Sequence, residues 1–160
     1  MTEKVDELIT EEMRQDIGVE WDFWTQEVDE RWIRKFAEAI EDPNPLWQDG
    51  ALARKTSYGG IIASPTFIGA LDPKWRYGEP LRRWNVPAAP KGGGGNAYDE
   101  AEFFEPIRPG DMITARIKTS NIYVRQGRSG RLLFNEREVT FTNQFGQVVA
   151  KCRGASVGVY

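Results

Sequence analysis

The sequence predicts an α+β domain in which a long antiparallel sheet wraps around one buried helix. The apolar period is helical as far as Leu71 and turns strand-like from about Asn96. The segment IIASPTFIGALDP, Ile61 to Pro73, is apolar on nearly every side, the pattern of a helix with no face left for water. Three long runs, MITARIKTSNIYV, RLLFNEREVTFTN and QVVAKCRGASVGVY, then follow one another across the turn-like QGRSG and QFG, which makes an antiparallel meander.

In chain order, Val5, Leu8, Ile9, Met13 and Ile17 fall at helical spacing with Gly18 placed to end the segment. This helix and the aromatic stretch EWDFWTQEV belong to an N-terminal arm, residues 1–27. DERWIRKFAEAIED puts Trp32, Ile33, Phe36, Ala37 and Ile40 on one face, and Asp42-Pro43 stops it because proline disfavours helix at the residue before it. In the buried segment, Ser64 is the candidate N-cap and Pro65 the first helical position, giving a helix over Ile61 to Leu71. The stretch from Asp72 to Gly95, rich in proline and glycine, is long enough to act as a mobile connector or lid. AYDEAEFFEPI and the turn Pro109-Gly110-Asp111 lead into the meander, with Asp99, Glu100 and Glu102 expected to face water.

Composition removes several function classes. A chain of 160 residues with 40% hydrophobic content can bury one core, so a single domain over 1–160 is expected. A net charge of -3 gives no basic footprint for nucleic acid. The acidic MTEKVDELITEEMRQD resembles no signal peptide and no later run is long enough to cross a membrane, so a cytoplasmic location is expected. With no histidine and one cysteine, Cys152, in a strand-like run, neither a metal site nor an internal disulfide is expected. The GGGG run lacks the Lys-Ser/Thr of a phosphate-binding loop.

A buried helix followed by a long antiparallel sheet is the outline of a hot-dog fold. FAEAIEDPNPLWQD, YGGIIASPTF and GGGNAYDEAEFFEPIRPGD, in that order, resemble the MaoC-like (R)-specific enoyl-CoA hydratases and hydroxyacyl dehydratases, in particular their N-terminal-half, FAS1-like dehydratase type. The resemblance runs from about Val28 to the C-terminus. It implies a loop of the form Gly-Asp-x-Asn-Pro-Leu-His, whose Asp and His hold the water that adds to an acyl thioester. Asp42, Asn44, Pro45 and Leu46 match this loop, but Trp47 stands where the family has His. An indole N–H donates and cannot accept a proton, so the acid–base pair is broken. A second departure is Pro65, at the position where active members have a glycine whose N–H supports the thioester oxygen; proline has no such N–H.

The resemblance therefore implies a vestigial Asp42 and a pocket-shaping role. Trp47, Tyr58, Ile62, Ser64, Thr66, Phe67 and Ala70 are the candidate acyl contacts, with Gly59 and Gly60 at the entrance, and Arg76, Arg82 and Arg83 candidate phosphate contacts. Each has a plain alternative: Asp and Asn before proline are ordinary turn residues, Trp47 can simply fill core volume, and loop arginines are commonly solvated. In double-hot-dog relatives one half shapes the pocket and the other carries Asp and His, and some relatives split the halves into separate chains. The expected role is thus a subunit that binds an acyl-CoA or acyl-carrier-protein thioester beside a homologous catalytic subunit, with no further cofactor. The alternatives are an acyl- or lipid-binding homodimer without catalysis, and a hot-dog thioesterase, which would need a carboxylate that TFIGAL lacks before Asp72.

Overall fold

Thr10, Asp29, Asn44 and Asp49 each precede a short helix and accept a hydrogen bond from a backbone N–H of its first turn, so side-chain capping sets where the helices begin. The computed structural model describes residues 6–71 and 84–160, and of residues 21–23 the backbone alone. Along it run α1 (Glu11–Asp16), β1 (Glu20–Glu27), α2 (Glu30–Ala39), α3 (Pro45–Gln48), α4 (Gly50–Ala53), a 3₁₀ turn (Pro65–Phe67), α5 (Ile68–Leu71) and β2 (Gly94–Phe103). The chain closes with β3 (Met112–Gln126), β4 (Arg131–Thr142) and β5 (Val148–Val159). Among the described residues the strands form one antiparallel sheet in the order β1-β3-β4-β5-β2. The architecture is the α+β hot-dog fold that the sequence predicts.

The inner face of the sheet buries Ile113, Ala115, Ile117, Val139, Phe141, Val149, Ala150 and Cys152 against Phe67, Ile68 and Leu71 of the central turn and helix. Phe67 is fully buried and receives Trp32 and Phe36 of α2 edge-on, with ring centroids 5.0 and 5.3 Å away. Trp24 of β1 donates its Nε1–H to the Leu71 carbonyl at 2.9 Å, which ties an edge strand to the central helix. A smaller cluster of Met13, Ile122 and Leu133 packs with Trp84, whose Nε1–H reaches the Asp16 carboxylate at 2.6 Å.

Three local expectations are revised. The first helix is confined to Glu11–Asp16, because Thr10 starts it afresh by accepting from the Met13 N–H. Within the expected arm, Glu20–Glu27 is a strand that pairs with β3, an element the sequence reading does not predict. The buried segment is helical only from Pro65: Ser64 is extended (φ -61°, ψ 150°), as the residue before proline favours, and its hydroxyl pairs with Thr66 Oγ1 at 3.2 Å instead of capping. Ile62 and Ala63 instead donate their N–H groups to the carbonyls of Leu46 and Ile107, which locks this segment between the α3 loop and the approach to β3. Half of the expected connector, residues 72–83, lies outside the described residues, and its last two residues, Gly94 and Gly95, already belong to β2.

Candidate functional site

The loop singled out in the sequence is built by its own backbone. Helix α2 ends with Glu41 in the left-handed region (φ 55°), while the Glu41 N–H returns to the Glu38 carbonyl and the Asp42 N–H to that of Ala37. These two bonds are a Schellman closure. The Asp42 carboxylate then accepts from the Asn44 N–H at 3.1 Å, Asn44 Oδ1 accepts from the Leu46 N–H at 3.0 Å, and the Gln48 amide donates to the Asp42 carbonyl at 3.0 Å. Asp42 and Asn44 thus spend their side chains on closing the turn. What the turn delivers is Leu46 and Trp47.

Those two residues wall a cavity of about 300 Å³. Ile62, Ala63, Ser64, Pro65 and Ile68 come from the central segment, Ile107 and Val149 from the sheet and its approach, and Tyr58, Phe103, Glu105 and Pro106 complete the described lining. Tyr58 and Phe103 are partly exposed and stand at the mouth, whereas Ile62, Ala63, Ile68 and Ile107 are buried. The lining is mostly apolar, which suits a hydrocarbon chain. Its polar groups are few: the Tyr58 and Ser64 hydroxyls, the exposed Glu105 carboxylate and the indole N–H of Trp47. The Trp47 Nε1–H is buried and has no hydrogen-bond partner among the described residues. No residue pair in this lining can pass a proton back and forth near neutral pH in the manner of an Asp/His dyad.

Of the residues expected at the site, the structure brings Trp47, Tyr58, Ile62 and Ser64 together around the cavity. Asp42, Asn44, Thr66, Phe67 and Ala70 are not in its lining; Thr66 is exposed, and Phe67 and Ala70 belong to the packed core. Arg76, Arg82 and Arg83 lie outside the described residues. Sequence reasoning missed the sheet-side wall, Phe103, Glu105, Pro106, Ile107 and Val149, although FFEPIRPGD was one of the stretches that carried the resemblance. Asp99, Glu100 and Glu102 are exposed as expected, and the Asp99 carboxylate also lies 3.9 Å from Arg137 Nη2.

Buried in the sheet, the Cys152 thiol is pushed up to about 12, first by desolvation and then by the Asp99 charge, so it is no nucleophile at neutral pH. Among the described residues no helix is long and apolar enough to cross a membrane.

Comparison with known proteins agrees with this geometry. The family described as "FAS1-like, dehydratase domain region" matches residues 15–152. A UPF0336 protein of Thermobifida fusca is 57% identical over 35 residues, 22% of this chain and 23% of the relative. A UPF0336 protein of Saccharopolyspora erythraea is 46% identical over 104 residues, 63% of this chain and 64% of the relative. The matched part thus spans less than two thirds of these relatives' length. Among solved structures, the MaoC-like dehydratase from Rhodospirillum rubrum superposes with a TM-score of 0.68 at 23% identity, covering 89% of this chain and 92% of that one. A chain of the HadBC (3R-hydroxyacyl-ACP dehydratase) complex of Mycobacterium tuberculosis gives 0.68 at 21%, covering 89% and 97%. A chain of the ChsH1–ChsH2 complex of the same organism gives 0.69 at 18%, covering 88% and 84%. At these identities the solved structures speak for the hot-dog fold alone. With a match over most of its length, the chain belongs to the FAS1-like dehydratase domain region family, and its strand order and central segment give it the hot-dog fold.

Proposed function

We propose that this chain is the pocket-shaping subunit of a hydratase or dehydratase acting on 2-enoyl or 3-hydroxyacyl thioesters, and that a homologous hot-dog partner supplies the Asp/His dyad. The observation that carries this reading is Trp47. It occupies the family's histidine position and walls an apolar cavity that holds no acid–base pair. Pro65 in the same lining withdraws a backbone donor where the family has one. The cavity remains suited to an acyl chain without the chemistry.

A partner is supported by β2. It closes one edge of the sheet, every residue in it is exposed, and Phe103 and Phe104 expose about half of their surface there. An unpaired edge of ten residues is a ready template for another strand or domain. HadBC and ChsH1–ChsH2, both similar in fold, are themselves complexes.

The test is to purify the chain alone and together with a partner carrying an intact Asp-x-Asn-Pro-Leu-His loop, then assay hydration of enoyl thioesters of graded length. The chain alone should be inactive and the complex active. In the complex, Ala63→Phe should abolish turnover of long acyl chains while sparing short ones, because Ala63 is a buried part of the cavity wall. Turnover by the isolated chain in the ordinary enzyme range, or an Ala63→Phe complex with unchanged chain-length preference, would refute the reading.

A further inference from the structure

The segment that walls the apolar cavity with Tyr58 and Ile62 has a second side. There Gly59, Gly60 and Ile61 line a separate polar cleft of about 550 Å³, into which Arg34, Arg54 and Arg108 converge from α2, α4 and the turn before β3.

The charges in this cleft are unevenly spent. Arg34 is committed: its Nε and Nη2 donate to Glu30 Oε1 at 3.0 and 2.7 Å, and its Nη1 to the Gln48 carbonyl. Glu30 spends Oε1 on both of these bonds, and its charge offsets that of Arg34. Asp49, whose charge also acts on Arg34 and Arg54, has its Oδ1 occupied by the N–H groups of Ala51 and Leu52 at the start of α4. Arg108 uses Nη1 on the Tyr58 carbonyl at 2.6 Å and keeps its other donors. Arg54 donates its backbone N–H to the Gly50 carbonyl, while its guanidinium makes no hydrogen bond or ion pair with the described residues. A Cβ built on Gly50 would lie 3.7 Å from Arg54 Nη1 and 3.8 Å from Arg34 Nη2, so these two guanidinium ends share the space of one small side chain.

The opposite wall is bare. Among the described residues, no heavy atom lies within 4 Å of where a Cβ would stand on Gly59 (φ +71°) or Gly60, which leaves room for a ligand against the backbone. Several guanidinium forks around a glycine-lined space match tetrahedral phosphate oxygens better than a single planar carboxylate.

We propose that this cleft binds a phosphate ester, with Arg54 and Arg108 donating to its oxygens and Arg34 adding charge. The assignment extends the thioester reading: with the acyl chain on one side of the Tyr58–Ile62 wall, the phosphate of the thioester's carrier arm sits on the other. A nucleotide thioester such as coenzyme A and the phosphopantetheine of a carrier protein both supply this chemistry.

The experiment is calorimetric titration of the full chain with inorganic pyrophosphate, coenzyme A, 4′-phosphopantetheine and phosphate-free pantetheine. Pyrophosphate should bind, more weakly as salt rises, and Arg54→Gln should lower its affinity about tenfold, the loss expected for one charge-assisted contact. Arg54 is exposed and makes none of the folding contacts described, so this variant tests binding without unfolding the chain. Arg54→Gln/Arg108→Gln should weaken binding further and leave any binding of pantetheine unchanged. Tighter binding of coenzyme A than of 4′-phosphopantetheine assigns the nucleotide as source; equal binding assigns the carrier-protein arm. Equal pyrophosphate affinity in the wild type and the double variant, or no binding at millimolar concentration, would overturn the proposal. Failure of the acyl reading is seen separately: Ala63→Phe would then leave chain-length preference unchanged while arginine-dependent pyrophosphate binding persisted.

Discussion

Replacing Trp47 with Phe should scarcely change stability, although it truncates a buried tryptophan. Trp47 is 7% exposed and its Nε1–H has no acceptor. A buried donor left unpaired costs about 1–3 kcal/mol, and phenylalanine removes that cost. Against this stands the volume lost with the five-membered ring, on the order of 40 Å³. At ~24 cal/mol per Å³ that is about 1 kcal/mol, with a transfer loss of similar size. The two sides nearly cancel, so a net change within about 1 kcal/mol of zero is expected.

Phe67→Ala is the control. Phe67 is fully buried, carries no polar atom and holds two ring contacts, so its truncation should cost about 3–5 kcal/mol. Urea unfolding followed by tryptophan fluorescence and circular dichroism, with unchanged m-values, reads both variants. A loss of about 3 kcal/mol or more for Trp47→Phe would mean that the indole N–H has a partner in solution, and the account of an unpaired donor at the cavity would be wrong.

Three further outcomes are expected. Cys152 should resist thiol reagents at pH 8 in the native protein and react freely once unfolded; because burial raises its folded value, the unfolded chain releases the proton first and stability should fall as pH climbs from about 9 towards 12. Glu138 is held below the usual carboxylate range, first by the hydrogen bond from Lys118 at 2.8 Å and also by Arg153 at 3.4 Å. Glu138→Gln should therefore cost roughly 0.5–1 kcal/mol at neutral pH, and the difference should vanish as pH drops through the folded value, where the wild-type carboxylate is protonated too. Glu41→Gly should stabilise the protein by about 0.5–1 kcal/mol in thermal melts, since the helix ends there in a left-handed conformation that costs every residue but glycine.

The sheet was legible because alternation survives in long strands with one buried face. The three runs marked in the sequence coincide with β3, β4 and β5 to within two residues. Strand β1 was not legible: a register irregularity between Glu20 and Asp22 breaks its alternation. The helical reading of Ile61 to Ser64 failed because apolarity cannot separate a buried helix from buried extended chain, and there Pro65 and the partners of the Ile62 and Ala63 N–H groups decide. Half of the cavity wall was visible, namely the residues beside the two motifs. Phe103 reaches it through pairing of β2 with β5 and Ile107 through the Ala63 N–H, and the arginine cleft gathers residues that are far apart along the chain.

The loop that first suggested chemistry is best tested on its mechanics. If Asp42 is a turn residue, what matters is an oxygen for the Asn44 N–H, and the negative charge does not. Asp42→Asn keeps an acceptor at that place and should leave both stability and the activity of an assembled complex nearly intact. Asp42→Ala removes the acceptor, loosens the bond sequence that carries Leu46 and Trp47 to the cavity wall, and should cost about 0.5–2 kcal/mol, as loss of a capping oxygen does. A proton-transferring carboxylate predicts a different ranking, with Asn as damaging as Ala to activity and neither damaging to the fold. Melting temperature and hydration rate measured on the same two variants decide between them: activity lost in Asp42→Asn with the melt unchanged would return this loop to the chemistry, whatever Trp47 lacks.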